Sequence, residues 1–78
     1  MKLTYDPRYN IAYIRFQEKT AQVETIRVSD ELNVDIAPDD AVYGIELLNA
    51  QAQLFSVDKG KLVLVNEALG GAREVDFL

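Results

Sequence analysis

At 78 residues with 49% hydrophobic side chains, the chain is long enough for one small core and too short for a second. It has no cysteine and no histidine, which excludes disulfide staples, thiolate or imidazole metal sites, and the side chain that titrates most readily near neutrality. Thirteen acids against eight bases leave a net charge of −5; such a surface repels phosphate backbones, argues against a nucleic-acid partner, and otherwise favours solubility.

The opening segment from Met1 to Asp6 has no apolar leader core, and no apolar run exceeds four residues, as in Leu62 to Val65. A bilayer span needs about 20. The sequence therefore predicts a cytoplasmic protein without a membrane segment.

Lys2 to Tyr5 alternates polar and apolar residues and predicts a first strand, stopped by the turn sequence Asp6-Pro7-Arg8-Tyr9-Asn10. Asp can bond the backbone two residues on, and Pro pre-sets φ. Ile11 to Phe16 is β-branched and aromatic and predicts a second strand, with Ala12, Ile14 and Phe16 toward the core and Ile11, Tyr13 and Arg15 on an amphipathic face. After a polar connector from Gln17 to Ala21, a third strand runs from Gln22 to Val28, with Ile26 and Val28 on one face. Ser29-Asp30 turns the chain into Glu31–Ile36, the cleanest alternation present: Leu32, Val34 and Ile36 one way, Glu31, Asn33 and Asp35 the other. Period two of this kind describes a strand with one wet face.

Pro38-Asp39-Asp40-Ala41 is the next turn, and Val42 to Leu47 a fifth strand with Tyr43, Ile45 and Leu47 inward. At Asn49 the period changes. Asn is a good N-cap, and the residues after it predict a short helix over 50–57, which Gly60 would close. Lys61–Asn66, a turn at Glu67–Gly71, and alternation from Arg73 to Leu78 predict a C-terminal β-hairpin. Leu62, Val65 and Leu69 also fit a helical stripe over 61–69, but the β-branched valines favour strands. The expected fold is a single α+β domain over residues 1–78, mainly antiparallel: a meander of about five short strands, one helix and the hairpin.

Chemistry must come from the remaining residue types. The acids Asp6, Asp35, Asp39, Asp40 and Glu46 are hard oxygen donors, yet Asp39-Asp40 lacks the calcium-loop spacing and reads, like Asp6, as a turn former. Glu46 sits between Ile45 and Leu47; if covered, it needs a partner such as Arg15, Arg27 or an N–H group. Tyr5, Tyr9, Tyr13 and Tyr43 read as core and rim packing. No catalytic residue, metal ligand or cofactor site is predicted.

Tyr5-Asp6-Pro7, Ala12-Tyr13-Ile14-Arg15 and Gly44-Ile45-Glu46-Leu47-Leu48-Asn49-Ala50 together resemble the family called domain of unknown function 2283, the YuzE-like small bacterial proteins. Their usual opening is Y-D-P-x-x-D-x-x-Y-I, and their middle ends in G-I-E-[IL]-L-[ND]-A. Lys61–Ala68 is similar to the tail of longer members. Asn10 replaces the family's second aspartate, which would weaken a metal site built from positions 6 and 10 and would preserve a turn. The resemblance singles out Tyr5, Asp6, Pro7, Asn10, Tyr13, Gly44, Glu46 and Asn49 as candidate functional residues. It implies a bacterial origin and, from the toxin–antitoxin-like setting of some relatives, a small protein partner.

Two readings of function result. One is a non-catalytic protein-interaction module, adaptor- or antitoxin-like. The other is a small carboxylate- or metal-dependent hydrolase using Asp6, Glu46 and Asp35. Carboxylates gathered in one pocket would favour the second, and scattered ones the first. A homo-oligomer, most simply a dimer, is also expected, because Leu62/Leu64 and Val63/Val65 make both faces of one strand apolar.

Overall fold

The computed structural model describes residues 1–18, 22–56 and 59–76. Five antiparallel strands make one sheet: β1 (Lys2–Asp6), β2 (Ile11–Arg15), β3 (Glu24–Ser29), β4 (Leu32–Ile36) and β5 (Val42–Leu48). A one-and-a-half-turn helix, α1 (Ala50–Phe55), follows, and β6 (Lys61–Asn66) with β7 (Gly71–Asp76) forms a separate two-stranded hairpin. The α+β reading and the hairpin hold, and the helical alternative over 61–69 is excluded by the register Leu62↔Val75 and Leu64↔Arg73. The helix is shorter than 50–57: it ends at Phe55, and position 57 lies outside the described residues. Gly60 does not close it; with φ 83° it bends the chain into β6. The second hairpin strand starts two residues earlier than expected, and its last residues, 77 and 78, are also outside the description.

Strand order across the sheet is β1-β2-β5-β4-β3. The meander thus holds within β1–β2 and within β3–β4–β5, and the two halves join through β2 and β5, which pair from Ile11↔Leu48 to Arg15↔Gly44. Cross-strand partners share a face. One face carries Leu3, Ile14, Ile45, Val34 and Ile26 in a single row. The other carries the row Thr4, Tyr13, Glu46, Asn33 and Arg27. Alternation in each sequence segment has become one apolar and one polar face of the whole sheet.

Helix α1 covers a corner of the apolar face. The Phe55 ring meets Tyr5 edge-on with centroids 4.9 Å apart, and Ala12 and Ala50 are fully buried beneath. Beyond that corner cover is thin: no large side chain is fully buried among the described residues, and Ile26 stays 47% and Phe16 44% exposed.

Two bulges modify the expected faces. Between Asp35 and Ile36 the pairing to β5 skips from Gly44 to Val42, so Tyr43 is the extra residue and lines the polar-face depression with Tyr13 instead of pointing inward. Between Arg27 and Ser29 the skip leaves Val28 unpaired and 58% exposed. An extra residue in one strand of a pair breaks the period-two count at that point.

Candidate functional site

The motif residues occupy two places. The first is the polar face. Tyr13 stands opposite Glu46 in register, but its ring leans across Gly44. A Cβ built on Gly44 would lie 2.6 Å from Tyr13 Cε1 and Cζ, so no larger residue fits there without displacing the ring. This crossing delivers the Tyr13 hydroxyl to Asp35 on β4, donating to Oδ2 at 2.6 Å. Thr25 on β3 donates to Oδ1 of the same carboxylate at 2.6 Å. One row over, Asn33 Nδ2 donates to Glu46 Oε1 at 2.9 Å. Glu46 therefore finds its partner in a side-chain amide and not in Arg15 or Arg27. Burial raises the Tyr13 hydroxyl above its usual pKa, and the bond to Asp35 adds to the shift. The phenol remains a proton donor throughout the neutral range.

Next to this network, Lys2, Thr4, Tyr13, Arg15 and Tyr43 line a shallow depression of about 260 Å³. Lys2 and Arg15 are cross-strand partners, and neither has an ion-pair partner among the described residues.

The second place is the sheet end that carries α1. Asn10 has φ 57° and Asn49 φ 52°, both left-handed, a conformation Asn tolerates better than most residues. The Asn10 carbonyl accepts from Ala50 N at 3.0 Å, and its Oδ1 accepts from Gln51 N at 2.7 Å. The cap of α1 is thus Asn10, about forty positions upstream. Asn49 makes no side-chain cap bond, which corrects the expectation from sequence: a left-handed backbone there turns its side chain elsewhere. Its Oδ1 accepts from Asn10 Nδ2 at 3.2 Å, and its Nδ2 donates to Glu31 Oε2 at 2.8 Å. Gln53 Nε2 donates to the carbonyls of Glu31 and Leu48. Three chain reversals and the helix start are thereby tied into one polar knot.

Asp6 and Pro7 form the first turn. Asp6 Oδ1 accepts from Arg8 N at 2.9 Å, and the Arg8 guanidinium pairs with Oδ2 at 3.0 Å. That bond to Arg8 holds the Asp6 carboxyl below its usual range. In the later turn Asp39 Oδ1 accepts from Ala41 N at 3.1 Å. Tyr5 packs against the helix.

The three carboxylates of the hydrolase reading are not gathered. Asp6 on β1 is three strands from Asp35 on β4 and lies toward the opposite end of the strands, so the two are more than about 14 Å apart at the usual strand spacing. Asp35 and Glu46 lie on adjacent strands, each already accepting a hydrogen bond. Among the described residues, no three Asp or Glu side chains come together as a metal site.

The family model described as Protein of unknown function (DUF2283) matches residues 2–51. The chain belongs to this family. No curated protein and no solved structure matches. The DUF2283 match spans the whole five-stranded sheet and the start of α1, including both places described above; the hairpin β6–β7 lies beyond it. No helix among the described residues is long and apolar enough to cross a membrane.

Proposed function

We propose that this chain is a non-catalytic interaction module, an adaptor- or antitoxin-like subunit, whose polar sheet face receives an acidic segment of a partner protein. The reading rests on Lys2 and Arg15 standing opposite each other with no ion-pair partner among the described residues. Like charges directly opposed in a sheet are destabilising, so the pair costs the fold something that a partner's carboxylates would return. Tyr13 and Tyr43 flank it, and tyrosine and arginine are the residue types that dominate interface hot spots. Asp35, Thr25, Asn33 and Glu46 hold the surrounding surface in one arrangement, which lowers the ordering cost of association. A wide, shallow face suits a macromolecular surface better than it suits enclosing a small substrate.

A glutamate-rich peptide titrated into the labelled protein is expected to shift the amide resonances of β1 and β2 around Lys2, Tyr13 and Arg15. The effect should weaken with added salt and vanish in Arg15→Glu. Equal shifts from a lysine-rich peptide, or an unchanged response in Arg15→Glu, would overturn the reading.

A further inference from the structure

The apolar sheet face and the hairpin pose one problem between them. Every residue from Lys61 to Asp76 is exposed, and the hairpin pairs with no strand of the sheet. Its one face carries Leu62, Leu64 and Val75 together with Arg73. The sheet, for its part, leaves Leu3, Ile26 and Phe16 between 36% and 47% exposed. A folded chain of 8.8 kDa has an accessible surface of about 4,800 Å², whereas this one exposes 6039 Å². Its radius of gyration is 14.1 Å, against about 11.5 Å for a compact chain of this length. The excess, about 1,200 Å² per chain, is what each partner contributes to an obligate homodimer interface of about 2,400 Å².

We infer that two copies exchange hairpins, the Leu62/Leu64/Val75 face of each seating on the apolar sheet face of the other. The arrangement is two-fold, because one chain carries both halves of the contact, and closure consumes every copy of each. Charge fits as well as area. Arg73 is the cation of that hairpin face, and Glu24, opposite Ile36 in register, is the acid among the strand residues of the apolar sheet face. Neither is in an ion pair among the described residues. The interface leaves Lys2, Arg15 and Tyr13 free on the far side, so it is independent of the acidic-segment site.

Light scattering coupled to size exclusion at low micromolar concentration is expected to give twice the single-chain mass of 8.8 kDa. Leu64→Glu should return the mass to that of one chain, and Val65→Glu, on the hairpin's other face, should leave the dimer intact. Arg73→Glu should weaken association about tenfold, and adding Glu24→Arg should restore it. A single-chain mass for the unaltered protein would overturn the inference, as it would if the hairpin folded back on its own sheet. So would a dimer that Val65→Glu breaks and Leu64→Glu spares, or a charge reversal that Glu24→Arg fails to rescue.

Discussion

The sheet and the hairpin are built from the same antiparallel ladder, and they are held together very differently. Leu62 to Val65 is an unbroken apolar run with two β-branched residues, yet β6 and β7 have little beyond their own backbone bonds and one exposed pair, Lys61–Glu74 at 3.8 Å. Such a pair contributes little, and an isolated two-stranded hairpin is marginal in water. In the sheet, side chains bridge strands that are far apart in sequence: Thr25, Asp35 and Tyr13 tie β3, β4 and β2, while Asn10, Asn49 and Glu31 tie three reversals. Strand propensity makes both elements; only long-range side-chain bonds and burial make one of them stable alone.

Amide exchange should show the contrast most strongly. In Leu64→Glu, the β6 and β7 amides are expected to exchange on the order of a thousandfold faster than those of β2, β4 and β5. Equal protection in both regions would mean that the hairpin is stable without cover. Gly44→Ala should strike the sheet where its polar ties converge, costing about 2–3 kcal/mol through the displaced Tyr13 ring and the lost bond to Asp35. In denaturant melts the double variant with Tyr13→Ala should lose clearly less than the sum of the two single changes; strict additivity would show that the ring crossing is incidental.

Asn10→Ala removes a helix cap and places a Cβ residue with no local hydrogen bond at φ 57°, for an expected loss of about 2 kcal/mol. Asn10→Asp keeps the acceptor for Gln51 N and should lose less than half of that. The smallest effects are pH-linked. The folded-state pKa of Asp6 is depressed, so its contribution is complete above the ordinary value of 3.8 and disappears as the pH falls below it. Tyr13 is raised, so its contribution is complete below pH 10.0 and is lost as the pH rises further. Melting temperatures across pH should therefore show a shallower acid limb for Asp6→Ala and a shallower alkaline limb for Tyr13→Phe than for the unaltered protein.

Strand positions, the Asp6-Pro7 turn and the hairpin were legible because each depends on neighbours within a few residues. The alternation of Glu31 to Ile36 sufficed to assign both faces of β4. Tyr43 was misplaced because a bulge is set by how two strands fit, and nothing within Val42–Leu47 announces it. The capping of α1 escaped for a similar reason. Asn49 has the right chemistry in the right place by local rules, yet the bond to Gln51 N comes from Asn10 across the fold. Asn10, which stood out as a weakened metal position, is instead the cap itself. Gly44 and Glu46 were recognisable as motif residues, but their use, as room for a crossing tyrosine and as an acceptor for Asn33, appears only once β2, β4 and β5 lie side by side.

The four-residue run Leu62-Val63-Leu64-Val65 has a consequence for how the chain survives synthesis. It combines β-branched residues with no charge and no proline, the composition of a cross-β template, and each hairpin strand has an outer edge that pairs with no other strand among the described residues. Lys61 and Asn66 bound the run, while Arg73 and Glu74 lie opposite Leu64 and Val63, placing charges on both faces of any stack that hairpins could build. These are gatekeepers. Replacing Arg73 and Glu74 together with apolar residues should shift the protein from the soluble fraction into fibrils.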